Sequence, residues 1–136
     1  MADFIDILVV DDEQVIIDSI TKIAKLEDFT IESTLDPKFA IEMLESKKYN
    51  LIISDIMMPG MDGFQLLQTV AAKKIQTPVI ITTGYSAIEN AVKALYEGAV
   101  AFIPKPFSID ELSSAIKRGL NFSNLMKKAR EDESNF

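Results

Sequence analysis

The chain has 136 residues, of which 48% are hydrophobic, and this length fits one compact domain with a single core. Its 14 basic and 21 acidic residues give a formal net charge of −7 at pH 7, and no run of Lys and Arg is long enough for a nucleic-acid footprint. The absence of His and Cys excludes histidine acid–base catalysis, a phosphohistidine on this chain, disulfides and thiolate metal sites.

Five short apolar runs rich in Ile and Val alternate with longer segments of helical period, a pattern typical of a parallel sheet with crossover helices. The strands are predicted at residues 7–10, 30–34, 51–54, 79–82 and 101–103. Residues 8–10 and 51–53 are apolar throughout, which indicates strands covered by helices on both faces. No run approaches the roughly 20 residues of a membrane span, and Asp3 and Asp6 stand where a secretory signal would be basic, so we expect a soluble, cytoplasmic protein.

Helices are predicted between and after these strands. The first covers about 14–25, with Ile16, Ile20 and Ile23 on its buried side. The second begins at Asp36 as N-cap, followed by Pro37, and its predicted buried residues are Phe39, Ala40, Met43 and Leu44.

The later helices carry equally clear signals. The third covers roughly 64–72, and the fifth begins with a capping box at Ser108 and Glu111. The fourth ends at Gly98 and places on one face Ala87, Ile88, Ala91, Val92 and Leu95.

The end of the chain differs from the rest. We predict one domain over residues 1–120 and a helical extension or linker over 121–136, in which Phe122, Leu125, Met126 and Ala129 continue an apolar stripe. The acids at 131–133 oppose the helix dipole, so this end should fray. The stripe needs a partner surface, either a second copy in a homodimer or an output domain.

Polar residues follow four of the predicted strands. Asp11 and Asp12 follow the first, Asp55 the third, Thr83 the fourth and Lys105 the fifth. Each alone has an ordinary explanation, such as acids at a helix N-terminus or a lysine in a turn. Because ligands bind beyond the carboxyl ends of parallel strands, their shared position favours a functional site.

The residue types at this edge point to metal-assisted phosphate chemistry. Clustered carboxylates repel one another unless a cation neutralises them, and oxygen ligands without His or Cys select a hard ion such as Mg²⁺. A carboxylate can itself act as nucleophile and form an aspartyl phosphate. Lys105 and the Thr83 hydroxyl can each contact a phosphate oxygen.

Four segments resemble the receiver domains of two-component response regulators: LVVDDE (8–13), SDIMMPGMDG (54–63), PVIITTGYS (78–86) and KPF (105–107). The resemblance covers residues from about 6 to 120, in the order and spacing of the family. It implies an α/β fold, a flavodoxin-like (βα)5 three-layer sandwich with a parallel sheet of order 2-1-3-4-5.

The resemblance also implies roles for individual residues. Asp55 matches the phosphoacceptor, and Asp12 and Asp55 match the direct Mg²⁺ ligands. Asp11 matches an acid that reaches the metal through water, and the backbone carbonyl of Met57 completes the ligand set. Lys105 matches the phosphate-binding lysine, whose bond to the following proline is typically cis. Thr83 and Phe102 match the hydroxyl and aromatic residues of the conformational switch.

The sequence departs from the family pattern at two positions. Gly84 stands where Ala is more frequent, and Phe102 stands where Tyr is common, so a hydroxyl-dependent output contact is lost. Met57 and Tyr85 match the residues that control access of water to the phosphoryl group, and their bulk predicts slow decay of the phosphorylated state.

The implied function is phosphorylation of Asp55 by a histidine kinase or phosphotransfer protein, with reshaping of the face formed by helix four, strand five and helix five. That face would contact an output domain or effector protein. The chain would catalyse only its own phosphorylation and dephosphorylation. A Mg²⁺-dependent phosphatase is the alternative, but it would need a second acid at the position of Met57. A nucleotide-binding module would need a glycine-rich phosphate loop, which the sequence lacks.

Overall fold

The computed structural model describes residues 4–84 and 88–134, which form five parallel strands alternating with five helices. In chain order they are β1 (Phe4–Val10), α1 (Gln14–Leu26), β2 (Ile31–Thr34), α2 (Pro37–Ser46), β3 (Lys48–Asp55), α3 (Gly63–Ala72), β4 (Val79–Thr83), α4 (Ile88–Tyr96), β5 (Ala101–Pro104) and α5 (Ile109–Ser134). The sheet order is β2-β1-β3-β4-β5, which confirms the predicted flavodoxin-like topology. None of the helices in these ranges combines the length and apolarity needed to span a membrane.

The sheet divides the core into two halves, because successive strand residues point to opposite faces. Leu8 and Val10 pack in the half covered by α2, α3 and α4, whereas Ile7 and Val9 pack in the half covered by α1 and α5. The same alternation holds in β3, where Ile52 belongs to the first half and Ile53 to the second. All six side chains are fully buried, as expected for strands covered on both faces.

The predicted N-cap of α2 is present, and so is one of the two bonds of the capping box predicted at α5. The Asp36 carboxylate accepts from the Lys38 N–H at 2.9 Å, and the Ser108 hydroxyl accepts from the Glu111 N–H at 3.1 Å. A reciprocal capping box that we did not predict lies at α3, where the Asp62 and Gln65 side chains each accept from the other residue's backbone N–H. These bonds satisfy donors that a helix start otherwise leaves unpaired.

Two predicted helix faces differ from the structure. In α2, Phe39 is half exposed and Ile41 is buried instead. In α4, Ala94 is buried, whereas Val92 and Leu95 are each about half exposed. The apolar stripe on each of these helices is wider than the part that contacts the sheet. Periodicity locates the stripe but does not show which of its residues are buried, so some of the predicted buried residues are wrong. Ala87 lies outside the described residues.

The C-terminal part of α5 packs against the domain. Ser123 is buried, the Lys127 ammonium donates to the Asn50 side-chain oxygen, and the same ammonium lies 3.9 Å from the centre of the Phe4 ring. Phe122 and Leu125 remain exposed. The fraying expected at residues 131–133 stays a prediction.

Gly63 is required where α3 begins, because the chain there passes very close to the end of β3. A Cβ at this position would lie 2.6 Å from the Asp55 carbonyl oxygen and 2.9 Å from the Ile56 Cα. We expect Gly63→Ala to lower the free energy of unfolding by about 1–3 kcal/mol, the usual cost of overpacking, measured by urea denaturation.

Gly84→Ala is the matched control. A Cβ there would meet no heavy atom of the described residues within 4 Å, and the φ of Gly84 lies outside the left-handed region. We expect unchanged stability or a gain of up to about 1 kcal/mol from the reduced freedom of the unfolded chain. Equal losses in the two variants would contradict the steric argument for Gly63.

Candidate metal and phosphoacceptor site

The residues singled out by sequence meet at the carboxyl edge of the sheet. Asp11 directly follows β1, Asp55 ends β3 and Thr83 ends β4. Asp55 pairs in register with Thr82, and Thr83 pairs with Pro104, which places Lys105 one residue beyond β5. Parallel pairing therefore brings four separate parts of the chain to one edge.

Four acids form a cluster at this edge. Carboxylate oxygens of Asp11, Asp12, Glu13 and Asp55 all lie within 4.8 Å of one another. Asp11 is 1% exposed and Asp55 is 4% exposed, whereas Asp12 and Glu13 face the solvent. We did not predict Glu13. Its place is set by a local turn in which the Asp11 Oδ1 accepts from the Glu13 N–H at 2.9 Å.

Lys105 lies within this acidic cluster. Its Nζ is 2.8 Å from Asp11 Oδ2, 3.4 Å from Asp55 Oδ2 and 3.7 Å from Glu13 Oε1. The Lys105 N–H donates to the Thr83 carbonyl at 2.7 Å, and the Lys105–Pro106 peptide is cis, as the resemblance implied. The backbone bond therefore fixes the main chain of Lys105, and from there its ammonium reaches two buried carboxylates.

The electrostatics of the site are dominated by burial. Burial raises the pKa of Asp11 above its ordinary value, against the hydrogen bond from Lys105 that lowers it. Burial also raises the pKa of Asp55, against the positive charge of Lys105, and the charge of Asp11 adds to the increase. For Lys105, burial lowers the pKa, but the hydrogen bond and negative charges of Asp11 and Asp55 outweigh it and leave the pKa raised.

The charge balance of the cluster favours a divalent cation. Lys105 is the one cation that the described ranges, 4–84 and 88–134, place in ion pairs with these acids. Four carboxylates against one ammonium leave excess negative charge, part of it shielded from water. The donors are all oxygens, which suits a hard ion, and two or three carboxylates with retained waters suit Mg²⁺. Asp11, Asp12, Glu13 and Asp55 are thus the side chains that could hold it.

Three of the remaining predicted residues, Met57, Thr83 and Phe102, lie within the described part of the chain. The Ile56 N–H donates to the Asp55 Oδ1 at 2.8 Å, and the backbone N–H groups of Ile56 and Met57 both lower the pKa of this carboxyl group. The Met57 side chain is 67% exposed, Thr83 is buried, and Phe102 packs half-buried against the α2–α4 half of the core. Tyr85 lies outside the described residues.

Comparison with known proteins gives a consistent result. A family model for the response regulator receiver domain matches residues 7–117. The chain is 32% identical over 124 residues to the regulatory protein AtoC of Escherichia coli, covering 91% of this chain and 27% of AtoC. It is 34% identical over 128 residues to the nitrogen assimilation regulatory protein NtrX of Azorhizobium caulinodans, covering 93% of this chain and 28% of NtrX. The chain thus spans about a quarter of the length of these relatives.

Solved structures match over nearly their full length. A CheY-like receiver domain protein from Methanospirillum hungatei has a TM-score of 0.83 and 32% identity, covering 90% of this chain and 98% of that one. The receiver domain of NtrX from Brucella abortus has a TM-score of 0.80 and 35% identity, covering 85% and 98%.

The acidic cluster leads to a prediction about metal binding. Asp12→Ala should weaken Mg²⁺ binding by about tenfold or more, since even groups one step removed from a metal cost that much when lost. Isothermal titration calorimetry measures the affinity. Mg²⁺ at 100 times its dissociation constant should also stabilise the wild-type fold by about 2.7 kcal/mol.

Glu42→Ala is the control, because it removes the same charge from an exposed position on α2. Its Mg²⁺ affinity should equal that of the wild type. If Asp12→Ala and Glu42→Ala bind Mg²⁺ equally well, Asp12 serves only as an acid at the start of α1.

Proposed function

Since this chain belongs to the response regulator receiver domains, we propose that it accepts a phosphoryl group on Asp55 from a histidine kinase or a phosphotransfer protein. The observation that carries the proposal is the buried Asp55 carboxylate, 3.4 Å from Lys105 within a cluster of acids. These 136 residues contain no histidine, so the phosphohistidine donor lies outside them.

The two oxygens of Asp55 have different surroundings, which suggests different roles. Oδ1 accepts a hydrogen bond from the Ile56 N–H, while Oδ2 faces Lys105. We assign the attack to Oδ2: it bonds to phosphorus, the bond from phosphorus to the donor's imidazole nitrogen breaks, and its electron pair leaves with the imidazole. Lys105 then pairs with an oxygen of the transferred group, which reduces its charge as the bond forms.

Asp11, Asp12 and Asp55, with the Met57 carbonyl, are the groups we propose to hold Mg²⁺. When bound, this ion would offset negative charge on both the cluster and the phosphoryl oxygens. The protein supplies position: the strand ends fix Asp11 and Asp55, and the backbone fixes Lys105. This division of labour is what phosphoryl transfer requires, since it needs little covalent chemistry from the protein.

Phosphorylation would change the contacts of Lys105, and this change would be passed to the face formed by α4, β5 and α5. About −1.5 to −2 charges are added at Asp55, which draws Lys105 from Asp11 toward the phosphate. We propose that Thr83 bonds to the phosphoryl group and that Phe102 turns with it. Phe102 of β5 pairs in register with Ile81 of β4. It lies beside α4, whose exposed residues Val92, Leu95 and Tyr96 offer an apolar surface for an output domain or effector.

Phosphorylation is tested with acetyl phosphate and Mg²⁺. Mass spectrometry should show one added phosphoryl group in the wild type and none in Asp55→Asn. Asp18→Asn, on the exposed side of α1, is the control and should be labelled like the wild type. Equal labelling of Asp55→Asn would remove the central claim.

The same samples test the switch. Amide NMR spectra before and after phosphorylation should differ at residues 92–96 of α4 and around Phe102, and Asp55→Asn should show no such difference. Shifts confined to the acidic cluster would show that phosphate is accepted without reshaping this face.

The lifetime of the phosphorylated state depends on access of water to phosphorus. Met57 follows Asp55 by two residues, its side chain is exposed, and a thioether cannot orient a water by a strong hydrogen bond. We expect Met57→Asn to shorten the half-life by about tenfold, because its amide can position the water for attack. Decay is followed after removal of the donor, in the presence of Mg²⁺.

Leu125→Asn is the control, since it makes a comparable change at an exposed position on the C-terminal part of α5. It should leave the half-life unchanged. An unchanged half-life in Met57→Asn would show that this side chain does not control water access.

A further inference from the structure

A second polar site lies at the opposite end of the sheet from Asp55. It is a cleft of about 650 Å³ where the starts of β1 and β3, the segment before β4 and the C-terminal part of α5 meet. Since β1 runs from Phe4 to Val10, and a strand rises about 3.3 Å per residue, the two ends are about 20 Å apart. The cleft and the acidic cluster share none of their residues.

Cations are concentrated in this cleft although the chain as a whole is acidic. Its lining includes Lys47, Lys48, Lys74, Lys127 and Arg130, against Glu131 as the one acid among the described lining residues. Lys47 is neutralised by Glu32 at 2.7 Å. Within residues 4–84 and 88–134, the other four cations form no salt bridge. The cleft therefore has positive charge that the described protein does not balance.

Lys127 shows that these charges act on one another. Its ammonium lies against the Phe4 ring and Asn50, half removed from water. Burial lowers its pKa most, and the positive charge of Arg130 lowers it further; the negative charge of Asp6 opposes both, and Lys48 adds a smaller lowering effect. An anion in the cleft would relieve this repulsion.

We propose that this cleft binds a small ligand that carries two or more linked phosphate groups. Lys48, Lys74 and Arg130 come from three different segments and could contact different phosphates, with the Arg130 guanidinium able to bond two oxygens of one group. The floor includes the apolar residues Leu44 and Ile75, against which an organic group such as a nucleotide base can pack.

The size of the cleft decides between a small ligand and a protein. Its volume falls within the roughly 300–1,000 Å³ of small-molecule sites. A stable protein partner would instead need about 800 Å² of surface on each side. An acidic peptide is therefore the less suitable occupant, and the two remaining sources of linked phosphates are nucleotides and inorganic oligophosphates.

Calorimetric titration of the full chain, in EDTA and without Mg²⁺, tests the proposal with ATP, tripolyphosphate and AMP as ligands. EDTA removes the metal that phosphate binding at Asp55 requires. We expect one site that binds ATP and tripolyphosphate, with AMP about tenfold weaker because it loses charge-assisted bonds. Affinity should fall as salt is raised. Asp55→Asn should bind like the wild type, so failure of this proposal is separable from failure of the phosphoacceptor proposal.

The variants locate the site. Lys48→Gln combined with Arg130→Gln should weaken the binding of both ATP and tripolyphosphate by about tenfold or more. Lys22→Gln combined with Lys25→Gln removes the same charge from exposed positions on α1 and should bind normally. Urea denaturation of each variant checks that its fold is retained.

Each outcome has a clear meaning. Tighter binding of ATP than of tripolyphosphate supports a nucleotide, and equal binding supports recognition of the phosphate chain alone. No binding by the wild type, or equal weakening in both double variants, overturns the site. If polyglutamate displaces tripolyphosphate when both supply the same concentration of negative charges, the cleft does not select phosphate and the proposed ligand class is wrong.

Discussion

Asp11 and Asp55 are almost fully removed from water and share a single ammonium, that of Lys105. Taking two carboxylates out of water is costly, and one cation cannot compensate both. The burial that raises the pKa of each acid therefore also makes the site sensitive to any added charge. A bound divalent cation would lower the free energy of this arrangement, and in the proposed function a phosphoryl group would compete with Asp11 for Lys105. The proposed response would then follow from an unfavourable charge distribution in the resting protein.

The fold keeps this arrangement in place by anchoring its backbone. Asp55 ends a strand whose last five residues are buried between two layers of helices, so it cannot move toward solvent without disturbing the core. The close approach of Gly63 to the Asp55 carbonyl packs the start of α3 against the same point. On the other side, the Thr83 carbonyl accepts from the Lys105 N–H and fixes the lysine relative to β4. The carboxylates stay buried because leaving would break the core.

The sequence predicted those parts of the structure that depend on nearby residues. Continuous apolar runs located the strands, and Asp36 with Pro37 located the start of α2, because those signals act within a few residues. Asp11, Asp55, Thr83 and Lys105 were found because parallel strands place their carboxyl ends together. Glu13 was missed, although an acid directly after Asp11 and Asp12 was visible. Its position depends on a hydrogen bond from its own N–H to Asp11, which spacing does not encode.

Long-range contacts were beyond sequence reasoning, and they matter most in α5. This helix starts just after the acidic end of the sheet, and its 26 residues, at about 1.5 Å each, make it about 39 Å long, so that its C-terminal part lines the basic cleft. Contacts hold it along the way. Glu27, directly after α1, accepts from Ser113 at 3.0 Å and lies 3.3 Å from Lys117, while Gly119 allows close packing on Leu51. Lys127 then fixes its far part to Asn50 and Phe4. A displacement of the segment after Lys105 must therefore either move α5 with it or break these contacts.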